Sequence, residues 1–253
     1  MSAPIAALIP AAARGLSDEA IAAHYSAGSS EHWLRVNFVA SIDGAVTVDG
    51  RSGGLGGEAD HRVFDILRRL CDVVLVGAGT VRTEGYGPMR LDDASVAARV
   101  DRGLKPQPTF AIVSAHLDLD PASPIFTSSP VTPLIVTSAA APKDRFDTLS
   151  RLADVIVAGE HSVDVSAAVS ALGDRGLTRI HSEGGPSLFG SLLASDVVDE
   201  LCLTVSPVLA SGDSGRISTG KLPELRGMSL AGLLRCDNVL LLRYLRHRSE
   251  RPV

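Results

Sequence analysis

Two glycine turns carry the residue types that could hold a phosphorylated ligand. In Val73-Val74-Leu75-Val76-Gly77-Ala78-Gly79-Thr80 an apolar run ends in two glycines and a threonine, where a helix can begin. Glycines let backbone N–H groups approach a phosphate closely, and a helix N-terminus favours an anion. A full dinucleotide fingerprint needs a third glycine at position 82, which here is Arg82, so the pattern also fits a plain tight turn. Ile180-His181-Ser182-Glu183-Gly184-Gly185-Pro186-Ser187 repeats the logic, with Pro186 suited to the first position of a helix. Two such turns at the carboxyl ends of neighbouring strands would line one crevice. Glu183, at the strand end, fits either a solvated cap or a hydrogen-bond partner for a substrate hydroxyl. Asp43, in Ser41-Ile42-Asp43-Gly44, has the Asp-Gly pairing of an ordinary turn.

Other chemistries find no support. There is no H-E-x-x-H, no G-x-S-x-G and no G-x-x-x-x-G-K-[ST], and the seven histidines are scattered, so no metal site is expected. Cys71, Cys202 and Cys236 are far apart and odd in number, which fits small buried hydrophobes rather than a zinc ribbon or disulfide framework. A net charge of −5 argues against a nucleic-acid footprint. No apolar run is long enough for a membrane span and no charged n-region precedes the N-terminal apolar stretch, so the chain is expected to be cytoplasmic.

These residues need a scaffold, and the sequence punctuates one. Residues 1–30 are expected to form an N-terminal surface arm with a short helix, N-capped by Ser17 and running to about Ala27. Residues 31–253 are expected to form a single domain. Strands are predicted at Leu34–Ala40, Val73–Val76, Thr109–Ser114, Leu134–Thr137, Val155–Ala158 and Thr178–Ser182. Helices are predicted at Glu58–Leu70, around Asp92–Arg102, at Val163–Gly173 and near Ser187–Ala194, the first with Val63, Phe64, Leu67 and Leu70 on one face. Glu200–Ser206, Ser229–Cys236 and Val239–Arg246 read as strands, the last two as an antiparallel hairpin. Between the first strand and first long helix, Ser41–Gly57 holds six glycines in seventeen residues, which reads as a long loop of functional use. The fold class is therefore α/β: a mixed, mainly parallel sheet with helices on both faces and a C-terminal antiparallel hairpin.

Taken in order, Val36-Asn37-Phe38-Val39-Ala40-Ser41-Ile42-Asp43-Gly44, Val74-Leu75-Val76-Gly77-Ala78-Gly79-Thr80-Val81 and Glu183-Gly184-Gly185-Pro186-Ser187-Leu188 resemble the reductase domain of bacterial riboflavin biosynthesis. Val198-Asp199-Glu200-Leu201 and Ser206-Pro207-Val208-Leu209 extend the likeness, which covers about residues 34 to 245. The resemblance implies a dihydrofolate-reductase-like fold, a homodimer, and NADPH-dependent reduction of 5-amino-6-ribosylaminouracil 5′-phosphate to its ribitylamino form. It implies cofactor contacts at Ala40, Gly54, Gly77, Gly79, Thr80, Glu84, Ser114, Gly184, Gly185, Pro186, Ser187 and Leu188. Substrate contacts are implied at Ser52, Arg68, Arg90 and Glu183, with Arg90 on the phosphate.

Glu84 and Glu183 are the candidate proton donors, and Asp43 is expected to orient the loop that closes over the substrate. The chain departs from the family where Glu84 replaces aspartate, where Gly85-Tyr86 replaces Asn/Asp-Pro, and where Ser52-Gly53-Gly54-Leu55 replaces a Ser-Gln-Trp-Ile-like stretch. Its only H-x-E is His181-Ser182-Glu183, with no P-C-x-x-C, so the reductive step alone is expected. Two alternatives stay open: reduction of a pterin such as dihydrofolate, and a non-catalytic nucleotide-binding module.

Overall fold

The computed structural model describes residues 4–10, 12–26 and 32–246. In chain order the elements are β1 (Ala6–Ile9), α1 (Asp18–His24), β2 (Trp33–Ser41), α2 (Glu58–Arg69), β3 (Val73–Gly77), α3 (Ala78–Glu84), α4 (Asp93–Val100), β4 (Thr109–Val113) and α5 (Pro124–Thr127). They continue with β5 (Leu134–Thr137), α6 (Lys143–Leu149), β6 (Asp154–Val157), α7 (Val165–Gly173), β7 (Arg179–Ser182), α8 (Pro186–Ala194), β8 (Glu200–Ser206), β9 (Met228–Cys236) and β10 (Val239–Arg246).

One sheet runs β1-β9-β10-β8-β2-β7-β3-β4-β5-β6. From β8 to β6 every pairing is parallel, while β10 joins β8 and β9 in antiparallel register, Leu241 opposite both Thr204 and Leu234. This is the mixed sheet with a terminal hairpin that the strand pattern implied. Parallel strands covered on both faces read as continuous apolar runs, and β3 shows why. Val73 and Leu75 pack with Leu172, Leu188 and Leu192 of α7 and α8, whereas Val74 and Val76 pack with Val81, Met89 and Ile125 on the other face.

The N-terminal segment is the main correction. Residues 6–9 form β1, which pairs with β9, and Ile5, Ile21 and Tyr25 are buried with Leu234 and Leu241. It is thus built into the sheet edge and does not lie on the surface as an arm. Burying these side chains removes apolar area from water that an arm would leave exposed. Ser17 does cap α1, accepting from the Ala20 N–H at 3.2 Å; the expected helix end at Ala27 lies outside the described residues.

A buried ionic group fixes β2 to the hairpin beneath the site. The Glu200 carboxylate lies 2.9 Å from Arg35 Nε, and accepts from Trp33 Nε1 at 2.7 Å and Arg243 Nε at 2.9 Å. Burial alone would push the Glu200 carboxyl up, but the two guanidinium groups outweigh it and hold it below its ordinary value.

Candidate active site

Strands β2, β7 and β3 are neighbours, so the loops leaving their carboxyl ends converge. The two glycine turns meet there: Gly77 N–H donates to the Gly184 carbonyl at 2.9 Å, and Glu183 N–H to the Leu75 carbonyl at 3.1 Å. Glycine is required at this contact. Gly184 has φ of 93°, and a Cβ there would come within 2.8 Å of the Phe38 ring, while one on Gly185 would run into the Thr80 hydroxyl. The Gly184–Gly185 peptide is cis. Gly185 leads into α8, whose first turn has no side-chain cap, so its orphan N–H groups are left for a ligand.

These turns border a cavity of about 660 Å³. Gly77, Gly79, Thr80 and Glu84 line it from the first turn and α3; Glu183, Gly185, Pro186, Ser187 and Leu188 line it from the second. The glycine loop adds Ser52 and Gly53, and α2 adds Asp60, His61, Phe64 and Arg68. Positions 60, 64 and 68 are one turn apart, so they stack on a single helix face.

Arg68 is held from both sides. Its Nε and Nη2 donate to the two oxygens of Glu183 at 2.5 and 2.8 Å, and its guanidinium lies 4.2 Å from the centre of the Phe64 ring. Burial opposes its charge, but the Glu183 carboxylate outweighs burial and raises Arg68 above its ordinary value. Behind it the fully buried Arg99 donates to the carbonyls of Arg68, Arg69 and Cys71 at 3.0, 3.2 and 2.7 Å, closing the C-terminus of α2.

Tyr86 completes the group. Gly85 ends α3 in the left-handed conformation, φ 72°, and Tyr86 N–H returns to the Val81 carbonyl at 3.1 Å. The phenol ring stacks on Phe110 at 5.8 Å and its hydroxyl donates to Glu183 at 2.8 Å. Burial first, then the Glu183 charge, raises the phenol well above its ordinary value, so it stays a donor. Under the cluster, His181 is buried with neither ring nitrogen hydrogen-bonded, its Nε2 3.7 Å from Glu183. Burial, with Arg35 and Arg68 nearby, holds it neutral, well below the usual histidine range.

The remaining expected site residues lie elsewhere. Asp43 is not in the cavity lining; it accepts from Ser41 Oγ and from the Ala210 and Ser211 N–H groups at 3.2 and 2.8 Å, and these bonds, that of Ser41 foremost, lower it to about 2. It therefore ties two loops together as an ionised acceptor and cannot serve as a proton donor near neutral pH. Gly54 borders a second cavity with Val208 and Ser214. Ala40, Ser114 and Gly184 are outside the main lining, and Arg90, exposed, donates to the Ser128 carbonyl at 3.1 Å. Sequence reasoning missed Asp60, His61, Phe64 and Tyr86 as cavity residues. The spacing of the α2 residues is a usable signal, but the apolar pattern groups Phe64 with Val63, Leu67 and Leu70 on one face.

A mainly parallel α/β sheet whose strand ends present glycine turns around a cavity places the chain among α/β proteins with a ligand crevice at the carboxyl ends of their strands. Within that class, the family described as RibD C-terminal domain matches residues 32–242, and the chain belongs to it. That family comprises the reductases of riboflavin biosynthesis. Two archaeal relatives, both 2,5-diamino-6-ribosylamino-4(3H)-pyrimidinone 5′-phosphate reductases, are similar. The protein of Archaeoglobus fulgidus is 31% identical over 75% of this chain and 87% of its own length. That of Methanothermobacter thermautotrophicus is 29% identical over 73% and 82%. Among solved structures, a pyrimidine reductase-like protein from Corynebacterium diphtheriae superposes with a TM-score of 0.79 at 29% identity, over 86% of this chain and 93% of that one. No described helix is long and apolar enough to cross a membrane.

Proposed function

We propose that this chain is the NADPH-dependent reductase that converts 5-amino-6-ribosylaminouracil 5′-phosphate to the ribitylamino product. The observation that carries this reading is the pairing of the two glycine turns through Gly77 and Gly184 beside the uncapped start of α8. Such a cradle suits a pyrophosphate: Cβ atoms are absent where the backbone must approach, and free N–H groups face the cavity rim. Gly185, Ser187 and Leu188 would hold the pyrophosphate, with Gly77, Gly79 and Thr80 beside it. When bound, NADPH supplies the hydride that reaches the sugar C1′.

The chain's own residues would fix geometry and charge. Arg68, Glu183 and Tyr86 form a rigid polar wall, so a substrate meets groups that need no reordering. Asp43 and Ser214 pin the loops that shield the site, Ser214 Oγ accepting from the Val46 and Thr47 N–H groups at 3.0 and 3.1 Å. Arg90 as phosphate anchor rests on the family resemblance, as does the homodimer. The anchor is tested by Arg90→Ala, which should raise KM for the phosphorylated substrate; the homodimer is tested by light scattering on the full chain.

The deciding experiment follows NADPH oxidation by absorbance with the ribosylaminouracil phosphate and, in parallel, with the diaminopyrimidinone phosphate and dihydrofolate. Turnover of the first is expected. Oxidation confined to dihydrofolate, or none, overturns the reading.

A further inference from the structure

We propose that Asp60 is the catalytic acid of this reduction, giving its proton to the ribose ring oxygen as the sugar opens. The inference rests on the proposed reductase activity and names a group that neither the family resemblance nor the motifs assign. Asp60 lies in the first turn of α2, on the cavity-lining face with Phe64 and Arg68, and is 8% exposed. The glycine loop closes against it: a Cβ on Gly56 would stand 2.8 Å from Asp60 Oδ2. No side chain could occupy position 56 without displacing the carboxyl.

The other carboxyls of the site are committed. Every hydrogen bond found at the Glu183 carboxylate is one it accepts, two of them from a guanidinium. Glu84 accepts the Ser52 N–H at 2.9 Å, pinning the glycine loop, and Asp43 lies outside the lining. Among the described residues no guanidinium or ammonium group is paired with Asp60. The groups acting on it are the Thr204 hydroxyl from β8 and the His61 imidazole beside it on α2. Burial is the largest influence and raises Asp60 above its ordinary value despite both, which favours the protonated form of a carboxyl in the cavity lining.

The step balances with one proton and one hydride. The amino nitrogen lone pair closes a C1′=N bond as the C1′–O4′ bond breaks. Its electron pair goes to O4′, which takes the Asp60 proton and becomes the 4′-hydroxyl. C1′ then receives the hydride, the C=N pair returns to nitrogen, and Asp60 regains its proton from solvent. Protonating the leaving oxygen matters because an alkoxide is a poor leaving group; a positioned acid contributes about 10²–10⁴-fold.

Two measurements test this. Steady-state kinetics compare the wild type with Asp60→Asn and with His61→Asn, the neighbouring group also able to carry a proton. Asp60→Asn should lower kcat by about 100-fold or more with KM changed less than about threefold, and should abolish the fall of kcat as pH rises through the acid's pKa. Asp60→Asn should lose more rate than His61→Asn, whose ring also lines the cavity and acts on Asp60. Separately, a carboxyl-carbon NMR titration of the wild-type protein, with Asp60 assigned by the Asn variant, should place Asp60 above the ordinary ~3.9. An active wild type whose Asp60→Asn variant keeps its rate and pH profile overturns the assignment, as does a titration at or below ~3.9. Loss in His61→Asn alone moves the acid to His61. A wild type inactive on either ribosylaminopyrimidine phosphate overturns both this and the function it rests on.

Discussion

Arg68 and Glu183 meet in a two-point pair, 2.5 and 2.8 Å apart, on the wall of the cavity. Arg68 comes from α2 and Glu183 from the end of β7, so the pair bridges two elements 115 positions apart in the chain. Each neutralises the other, and the charge offered to a ligand is that of the pair rather than of a free arginine. As an implied substrate contact, Arg68 would therefore act as half of this pair.

Removing one partner leaves the other buried and unpaired. Glu183 has a side chain only 1% exposed, so Arg68→Ala should cost about 3–5 kcal/mol of stability, as for other broken buried pairs. Arg68→Lys should recover charge but not the two-point geometry. Denaturant unfolding of Arg68→Ala, Glu183→Gln and the double variant measures the coupling. A double variant no more stable than the sum of its singles predicts would show that the pair contributes nothing.

Tyr86 acts on the same carboxylate. Tyr86→Phe keeps the ring stacked on Phe110 and deletes only the hydroxyl that donates to Glu183 at 2.8 Å. A hydrogen bond to a charged group contributes roughly 1.5–3 kcal/mol, so kcat/KM should fall about 10- to 100-fold. NADPH affinity should stay the same, since the phenol bonds the carboxylate of Glu183, an implied substrate contact. Equal losses in substrate turnover and cofactor binding would contradict it.

What could be read in the sequence follows from range. The run Val73–Val76 announces a buried parallel strand on its own residues, and Gly184-Gly185-Pro186 announces a turn into a helix. By contrast, β1 is four residues whose partner lies near position 234, and nothing local says that Ala6 will sit opposite Arg235. Phe64 shows a different limit. Helical periodicity groups it with Val63 and Leu67, but periodicity marks a face without saying whether that face meets protein or cavity. The phenol of Tyr86 reaches Glu183, 97 positions away, because Gly85 turns the chain at the end of α3. Only the assembled sheet brings the two turns into hydrogen-bonding distance.

The second turn gives a test of the cofactor cradle alone. Gly185→Ala places a Cβ against the Thr80 hydroxyl, so that side chain or the turn must shift to accept it. NADPH binding, measured by calorimetry, should weaken about tenfold or more, equivalent to ~1.4 kcal/mol. Thr80→Ala in the same chain should restore part of that loss by clearing the space. An unchanged Kd in Gly185→Ala would remove this turn from the cofactor site.

His181 predicts the response of stability to acid. Its ring is buried, both nitrogens lack partners, and burial together with Arg35 and Arg68 holds its folded pKa well below the ordinary 6.5. The unfolded chain therefore binds a proton at this histidine before the folded one does. Its contribution to stability is intact above about pH 6.5 and is lost progressively as pH falls below that value, by up to about 1.4 kcal/mol per pH unit until the folded form also titrates. Carboxylates that are stabilised as anions, such as Glu200, add their own loss only below the ordinary carboxylate range. His24, also lowered by burial, adds to the fall and Asp60, raised by burial, opposes it, so the difference between the wild type and a His181 variant isolates this histidine. Denaturant midpoints of the wild type should fall between about pH 6.5 and 5, and His181→Phe should flatten the fall. The larger ring also needs no hydrogen bonds, so any cost at pH 8 reports packing alone. Parallel curves for the two proteins between pH 6.5 and 5 would show that His181 does not set the acid limit.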